Sequence, residues 1–274
     1  MPQISRIPFV KASAYGNDFL IVRKEFQGVY APRLTRALCD RHNGVGADGV
    51  EWLSEQEGHA ARIHLINADG SFAELSGNGT RCVAAHLVAN GAASGVPGEG
   101  AEDLLIATDA GSIRCQLTGQ SGNRYDFLTD MGIPVVQEPF EVDLGHVRYT
   151  GVPVSMGNPH FVIFVQEFPA NWQKDSQRIQ ARSDLFPEGI NVEWVQFKRV
   201  PDIMIRIFER GAGETQSSGT GTCASAAAAI ATRNAAEKLT VVAPGGVQRV
   251  QWKPGVSMML EGSASLICAG EFFV

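Results

Sequence analysis

SGNGTRCVAAHLVANG (residues 76–91) and SGTGTCASAAAAIATRN (residues 218–234) open with the same pattern, Ser-Gly-x-Gly-Thr, and both continue as apolar, alanine-rich stretches of helical length. The two serines, Ser76 and Ser218, are separated by about half of the chain, and each copy follows a strand-like run, a polar turn and a glutamate, Glu74 or Glu214. A repeat spanning half the chain implies a duplicated half, hence two domains of one design.

A Gly-x-Gly entry lets backbone N–H groups approach an anion closely, and the helix dipole places roughly half a positive charge at that end. Each copy is therefore an anion cradle with a serine hydroxyl at its rim. No lysine follows either glycine pair, as a phosphate loop requires, and no acidic residue stands at nucleotide-fold spacing behind a parallel βαβ unit, so nucleotide binding is disfavoured. If the halves face one another, one side chain from each meets the same carbon. A racemase or epimerase needs that arrangement: one group removes the α-proton and another delivers a proton to the opposite face of the carbanion, while the cradle holds the α-carboxylate and its developing charge.

The rest of the chain fits a globular α/β protein of the α+β kind. Hydrophobic residues make up 44% and charged ones 19%, enough for a sizeable core and unlike a disordered chain. Lys and Arg number 23 against 29 Asp and Glu, with no block of five like charges, so neither a nucleic-acid groove nor a membrane-binding patch is expected. The opening MPQISRIPFVKAS shows no secretory leader, and no 18-residue apolar run occurs. Five scattered cysteines (Cys39, Cys82, Cys115, Cys223 and Cys268) without C-x-x-C spacing read as reduced thiols of a cytoplasmic protein. No metal-ligand motif appears, and no metal is expected.

Apolar runs on either side of Tyr15-Gly16-Asn17-Asp18 predict strand, turn and strand. A short helix begins at Pro32 with Leu34, Leu38 and Cys39 on one face, and a strand over 63–66 stops at Asn67-Ala68-Asp69-Gly70. A helix starting at Thr80 closes at Asn90-Gly91. Residues 102–200 read mostly as strands, with one helix near 171–181. A strand over 203–210, a Gly-rich loop over 211–221 and a helix over 222–235 follow.

At these residues the sequence resembles the diaminopimelate epimerases, cofactor-independent amino-acid epimerases of bacterial lysine and cell-wall precursor synthesis. The resemblance covers nearly the whole chain: GNDF (16–19), DRHNGVGADG (40–49), NADGS (67–71), GNGTRC (77–82), VSMGNPH (154–160), Asn191, ERGAGET (209–215) and GTGTCA (219–224). It implies two pseudo-symmetric domains, 1–120 plus 265–274 and 121–264, each a mostly antiparallel barrel-like sheet around a central helix, with the substrate in a cleft between them. It also implies that no pyridoxal phosphate or other cofactor is used, that the ligand is a small amino acid or carboxylate, and that a homodimer is one option. Carried over by position, Asn17, Asn67, Asn158 and Asn191 become substrate-binding amides. Glu209 and Arg210 would meet the distal amino-acid end, while the backbone of Gly77-Asn78 and Gly219-Thr220 would hold the reacting α-carboxylate.

The departures bear on the chemistry. In the family the residue before each glycine pair is a cysteine, and the two thiols move the proton; here both positions are serine, Ser76 and Ser218. A thiol can be tuned by a helix N-terminus into the working range, whereas a serine hydroxyl is a weak base without a neighbouring general base. The change is either engineered to trap a ligand or a natural divergence. Ser13 and Ala14 stand where the family often has His-Gly, and Gly49 where it often has Gln, which favours divergence. Cys82 and Cys223 read as buried structural thiols, while His42 and His160 are the imidazoles nearest the matched motifs. Three functions follow: an amino-acid epimerase in the serine form, a diverged isomerase or lyase acting on another small carboxylate, or a non-catalytic amino-acid-binding homologue.

Overall fold

The computed structural model describes residues 6–92, 103–199 and 202–274. The first five residues of the opening segment read above for a leader lie outside the described residues. The chain forms two compact units, Met1–Thr129 with Gly262–Val274, and Asp130–Glu261.

The first unit holds β1 (Arg6–Ala14), β2 (Asn17–Arg23), α1 (Ala31–Cys39), β3 (Gly49–Ser54), β4 (Ala61–Asn67), β5 (Phe72–Ala73), α2 (Gly77–Ala89), β6 (Leu104–Thr108), β7 (Gly111–Ser121) and β8 (Arg124–Asp130). The second holds β9 (Val135–Val136), β10 (Phe140–Asp143), β11 (Arg148–Ser155), β12 (Pro159–Phe164), α3 (Trp172–Gln180), β13 (Asn191–Arg199), β14 (Asp202–Glu209), β15 (Gly213–Thr215), α4 (Gly219–Arg233), β16 (Lys238–Ala243) and β17 (Gly246–Gln251). The last strand, β18 (Met259–Phe273), passes from the second unit into the first.

In the first unit the strands run β18-β1-β2-β3-β4-β6-β7-β8, and β8 pairs back onto β18, closing a barrel. Of these pairs β2–β3 and β4–β6 are parallel. Parallel neighbours need a crossover; α1 supplies the first and α2 the second. The second unit repeats this order as β11-β12-β13-β14-β16-β17-β18, again with two parallel pairs, β12–β13 and β14–β16, crossed by α3 and α4. Its seam is completed by Met131 and Gly132, which exchange backbone hydrogen bonds of 2.9 and 2.8 Å with Met258. The expected fold class holds: an α/β protein with two mostly antiparallel barrels, each built round one helix.

A helix inside a barrel must be apolar on every side and thin. Cys82, Val83, Ala84 and Ala85 of α2 are fully buried, as are Cys223, Ala224 and Ala226–Ala229 of α4. The outer helices repeat as well. Trp52 Nε1 of β3 donates to Thr35 Oγ1 of α1 at 3.3 Å, and Trp194 Nε1 of β13 donates to Ser176 Oγ of α3 at 2.8 Å. The two tryptophans stand at the same sequence offset as the two serines.

Two boundaries differ from the sequence reading. The central helices begin at Gly77 and Gly219 rather than Thr80 and Thr222, and the Gly-rich loop over 211–221 contains β15. The earlier starts follow from the serines, which cap the helices and so draw the glycines into the first turn. The β1–β2 turn takes positive φ at both Tyr15 (56°) and Gly16 (83°), the geometry that matches strand twist in a tight hairpin. Among the described residues no helix is long and apolar enough to cross a membrane.

Candidate active site

Ser76 and Ser218 occupy the N-cap positions of α2 and α4 in extended backbone conformation. Ser76 Oγ accepts the N–H of Gly79 at 3.1 Å, and Ser218 Oγ accepts that of Gly221 at 3.2 Å. Each hydroxyl thus satisfies one of the donors a helix start leaves open, and the N–H groups of Gly77-Asn78 and Gly219-Thr220 lie at the same positive end. The sequence pattern located these serines but not their capping role, although serine is among the preferred N-cap residues.

In the first unit, Asn78 is buried and donates through Nδ2 to Asn17 Oδ1 at 3.3 Å, while the fully buried Arg81 bonds Asn78 Oδ1. Asn17 in turn donates to Asp48 Oδ2 at 2.6 Å. Arg41 joins Asp48 to Asp18, and Lys11 bonds Asp18 at 2.9 Å. Burial opposes ionisation of Asp18, yet hydrogen bonds and charge from Arg41 and Lys11 hold its carboxyl below the usual range. Asn17 and Asn78 therefore come together as one rigid polar strip. Asn67, opposite Gly49 on the neighbouring strand, donates to Ser71 Oγ at 3.0 Å in the turn after β4.

In the second unit a chain of polar contacts leads to Ser218. Glu193 Oε1 and His160 Nδ1 lie 2.7 Å apart, both residues fully buried, and His160 Nε2 lies 2.9 Å from Asn158 Oδ1. Both ring nitrogens of His160 are thus partnered within this buried chain of contacts. Asn158 Nδ2 then donates to Thr220 Oγ1 at 3.4 Å, itself 3.4 Å from Ser218 Oγ. Glu209, at the end of β14, has its carboxyl pushed up by desolvation, which its polar surroundings, Ser218 first among them, oppose. Ser218 thus has the Glu209 carboxyl in its surroundings. At the position equivalent by the repeat, the first unit has Asn67. Asn191 spends both ends of its amide on backbone, donating to Pro159 O at 3.0 Å and accepting from Arg210 N at 2.9 Å. The Arg210 guanidinium reaches Glu188 O.

Cys82 and Cys223 are fully buried, and burial pushes the Cys82 thiol far up, as it does Cys115 to about 11. Neither helix thiol can replace the missing pair. His42 is exposed in the turn capped by Asp40, and Glu74 and Glu214, which flank the repeats, lie at or near the surface. Among the described residues no three His, Cys, Asp or Glu side chains converge as a metal ion requires. Sequence reasoning missed Glu51, Asp48, Arg81 and Glu193. A usable signal existed for one pair: Glu51 and Glu193 are related by the same offset as the serines.

The fold, with its paired serine-capped cradles, defines the class as an isomerase of the epimerase and racemase kind, and the comparisons agree. The sequence matches the family described as diaminopimelate epimerase over residues 9–136 and 152–267. It is 34% identical over 282 residues to the diaminopimelate epimerase of Moorella thermoacetica, covering 96% of this chain and 98% of that one. The enzyme of the same name from Synechococcus sp. (strain JA-3-3Ab) is 38% identical over 275 residues, covering 91% and 92% of the two chains. Among solved structures, a hydroxyproline epimerase from Agrobacterium vitis shares the fold at TM-score 0.77 and 12% identity, covering 98% of this chain and 93% of that one. The chain belongs to the diaminopimelate epimerase family.

Proposed function

We propose that the chain binds diaminopimelate or a close α-amino acid relative and that its two-base inversion is severely slowed by the serines. In this reading the N–H groups of Gly77-Asn78 and of Gly219-Thr220 are carboxylate cradles, and Ser76 and Ser218 are the two groups of a two-base inversion. The observation that carries it is that Ser76 and Ser218 cap the two central helices in the same way, each hydroxyl on the N–H three residues on, with the Glu209 carboxyl in the surroundings of Ser218 alone. When the α-proton passes to Ser218 Oγ, the hydroxyl proton passes to Glu209, so the net result is a neutral Glu209 and a carbanion on the substrate. On the other face Ser76 must give up its proton and become an alkoxide. The first unit has an amide, Asn67, where the second has Glu209, and an amide cannot take up the negative charge. Inversion is therefore blocked at the Ser76 step.

Asn17 and Asn158 reach the two cradles through Asn78 and Thr220, so they orient those groups as well as offering amides to a ligand. Asn191 shapes the backbone leading into Arg210. The expected result is that LL-diaminopimelate incubated in deuterium oxide with this chain exchanges its α-proton very slowly and inverts more slowly still. Proton NMR and chiral chromatography read the two rates. Inversion at the rate of exchange would overturn the assignment of a deficient Ser76 step.

A second reading, a binding protein without catalysis, is favoured by the commitment of both serine hydroxyls to helix capping. Tight binding with no exchange at all would select it.

A further inference from the structure

Glu51 has no role in the chemistry above, yet it is the most unusual acid in the molecule. It lies on β3, fully buried, and neither carboxyl oxygen has a hydrogen-bond partner. Its Oε1 is packed against Gly79 in the first turn of α2: a β-carbon added at Gly79 would overlap Oε1 and approach Ser76 Cβ to 3.2 Å. An unpartnered acid therefore lies directly beneath the cradle that Ser76 caps. The second unit has the same acid at the same place, Glu193 against Gly221, but there His160 contacts Oε1 at 2.7 Å. Glu51 has no such imidazole.

We propose that Glu51 controls the anion affinity of the Ser76 cradle from below: as a neutral acid it leaves the positive end of α2 to a ligand carboxylate, and as a carboxylate it competes with that ligand. The inference rests on the reading of Gly77-Asn78 as a carboxylate site and adds to it a dependence on pH. A helix N-terminus favours negative charge, but two carboxylates sharing one site cannot both ionise freely.

The groups around Glu51 leave it poised for this. In register on the neighbouring strands stand Ile21 and Leu65, both apolar. Cys82 on α2 stays a neutral thiol because burial pushes it far up. Arg81 of α2 is engaged with Asn78. Asp109, in the turn between β6 and β7, is the charged group that acts on Glu51, and it is paired with Arg62 and His64 at 2.9 Å. Burial first, and then the charge of Asp109, raises the Glu51 carboxyl to about 8. The acid is thus mostly protonated at neutral pH and mostly ionised one unit above that value. By linkage, an anion in the cradle pushes Glu51 further up and binding takes up a proton.

The test follows the amide signals of Gly77, Asn78 and Gly79 during titration of the full chain with diaminopimelate and, separately, with acetate, between pH 6.5 and 9.5. If only the neutral form binds, the apparent Kd weakens about tenfold from pH 7 to pH 9. Glu51→Gln and Glu51→Leu should both flatten that dependence, relative to the wild type with the same ligand. Carbon-13 NMR of the Glu51 carboxyl in the unaltered chain gives a second readout: its titration midpoint should move upward when the cradle is filled. Acetate binding with the expected pH dependence, but no diaminopimelate binding, would sink the substrate assignment and keep the role of Glu51. A Kd with the same pH dependence in wild type and both variants, or a Glu51 midpoint unmoved by ligand, would overturn the proposal, as would a cradle whose amides respond to neither anion. Should both variants fail to fold, the carboxyl midpoint alone decides.

Discussion

Replacing Ser76 and Ser218 together by cysteine is expected to raise α-proton exchange in diaminopimelate by about 10⁴-fold or more, with inversion keeping pace with exchange. Each proton-transfer group commonly contributes roughly 10²- to 10⁴-fold, and the double change supplies two. A thiol at either position meets the open N–H groups and the partial positive charge of a helix start, which lower its pKa toward neutrality. The singles should differ. Ser218→Cys has the Glu209 carboxyl in its surroundings to take up the thiol proton, so exchange should rise more than with Ser76→Cys, where the repeat puts Asn67 at the equivalent position. Neither single should invert efficiently, because the opposite face still carries a hydroxyl.

The same change should weaken the fold. Both hydroxyls accept an N–H at the helix start, at 3.1 and 3.2 Å. Losing such a cap costs about 1 kcal/mol each, which for a chain of this size lowers Tm by about 2–4 °C per cap. Measuring exchange, inversion and thermal unfolding for the parent, both singles and the double separates the effects. An inert double with intact folding would show that the pocket itself has diverged from the family. Rapid inversion by the parent chain would show that serine at these positions suffices.

The repeat was legible because its two copies need the same local backbone: glycines that let a helix start close to neighbouring groups, and a small residue at its cap. The first outer helix was legible from Pro32 and from the face carrying Leu38 and Cys39. The helix starts fall three residues before the expected ones because Gly-x-Gly reads as an entry ahead of the helix, and propensity alone does reject glycine from a helix. What propensity omits is the cap, which fixes the start from outside the run. Glu51 was invisible for a different reason. In GVEWLS nothing local distinguishes a solvated acid from one facing the barrel interior; that is decided by α2 lying across the strand. The Asp18–Arg41–Asp48 cluster also depends on tertiary approach, since its members come from β2, the turn after α1 and the entry to β3. The roles of the asparagines in the network likewise depend on neighbours no spacing could supply.

His160 carries the largest expected effect on stability. His160→Leu should destabilise the chain by about 1–3 kcal/mol or more at neutral pH, the usual cost of leaving a buried polar group without its hydrogen-bond partner. Glu193 is fully buried, its Oε1 has His160 for a partner, and its Oε2 has none, so the substitution strands the whole carboxyl. Asn158 loses its contact with the ring as well, and with it the chain of contacts to Thr220 and Ser218 loosens. The sign with pH is fixed by Glu193. Desolvation already raises its carboxyl above the value of an unfolded chain, against the pull of His160, and without His160 it rises further. Below the unfolded value the acid is protonated in both states and its ionisation adds no penalty; above it, the unfolded chain releases a proton that the folded chain retains, and stability falls. The parent's carboxyl is raised as well, so both chains lose stability above the unfolded value, and the variant goes on losing it above the pH at which the parent's Glu193 has ionised; the destabilisation should therefore grow with pH. Adding Glu193→Leu to His160→Leu should recover part of the loss at neutral pH, because no buried carboxyl is then stranded, while the contact to Asn158 stays lost. Urea unfolding of the parent, both singles and the double at several pH values gives the interaction energy directly. A His160→Leu cost that is the same at pH 4 and pH 7, or a double no more stable than the single, would mean that Glu193 is satisfied by something other than His160.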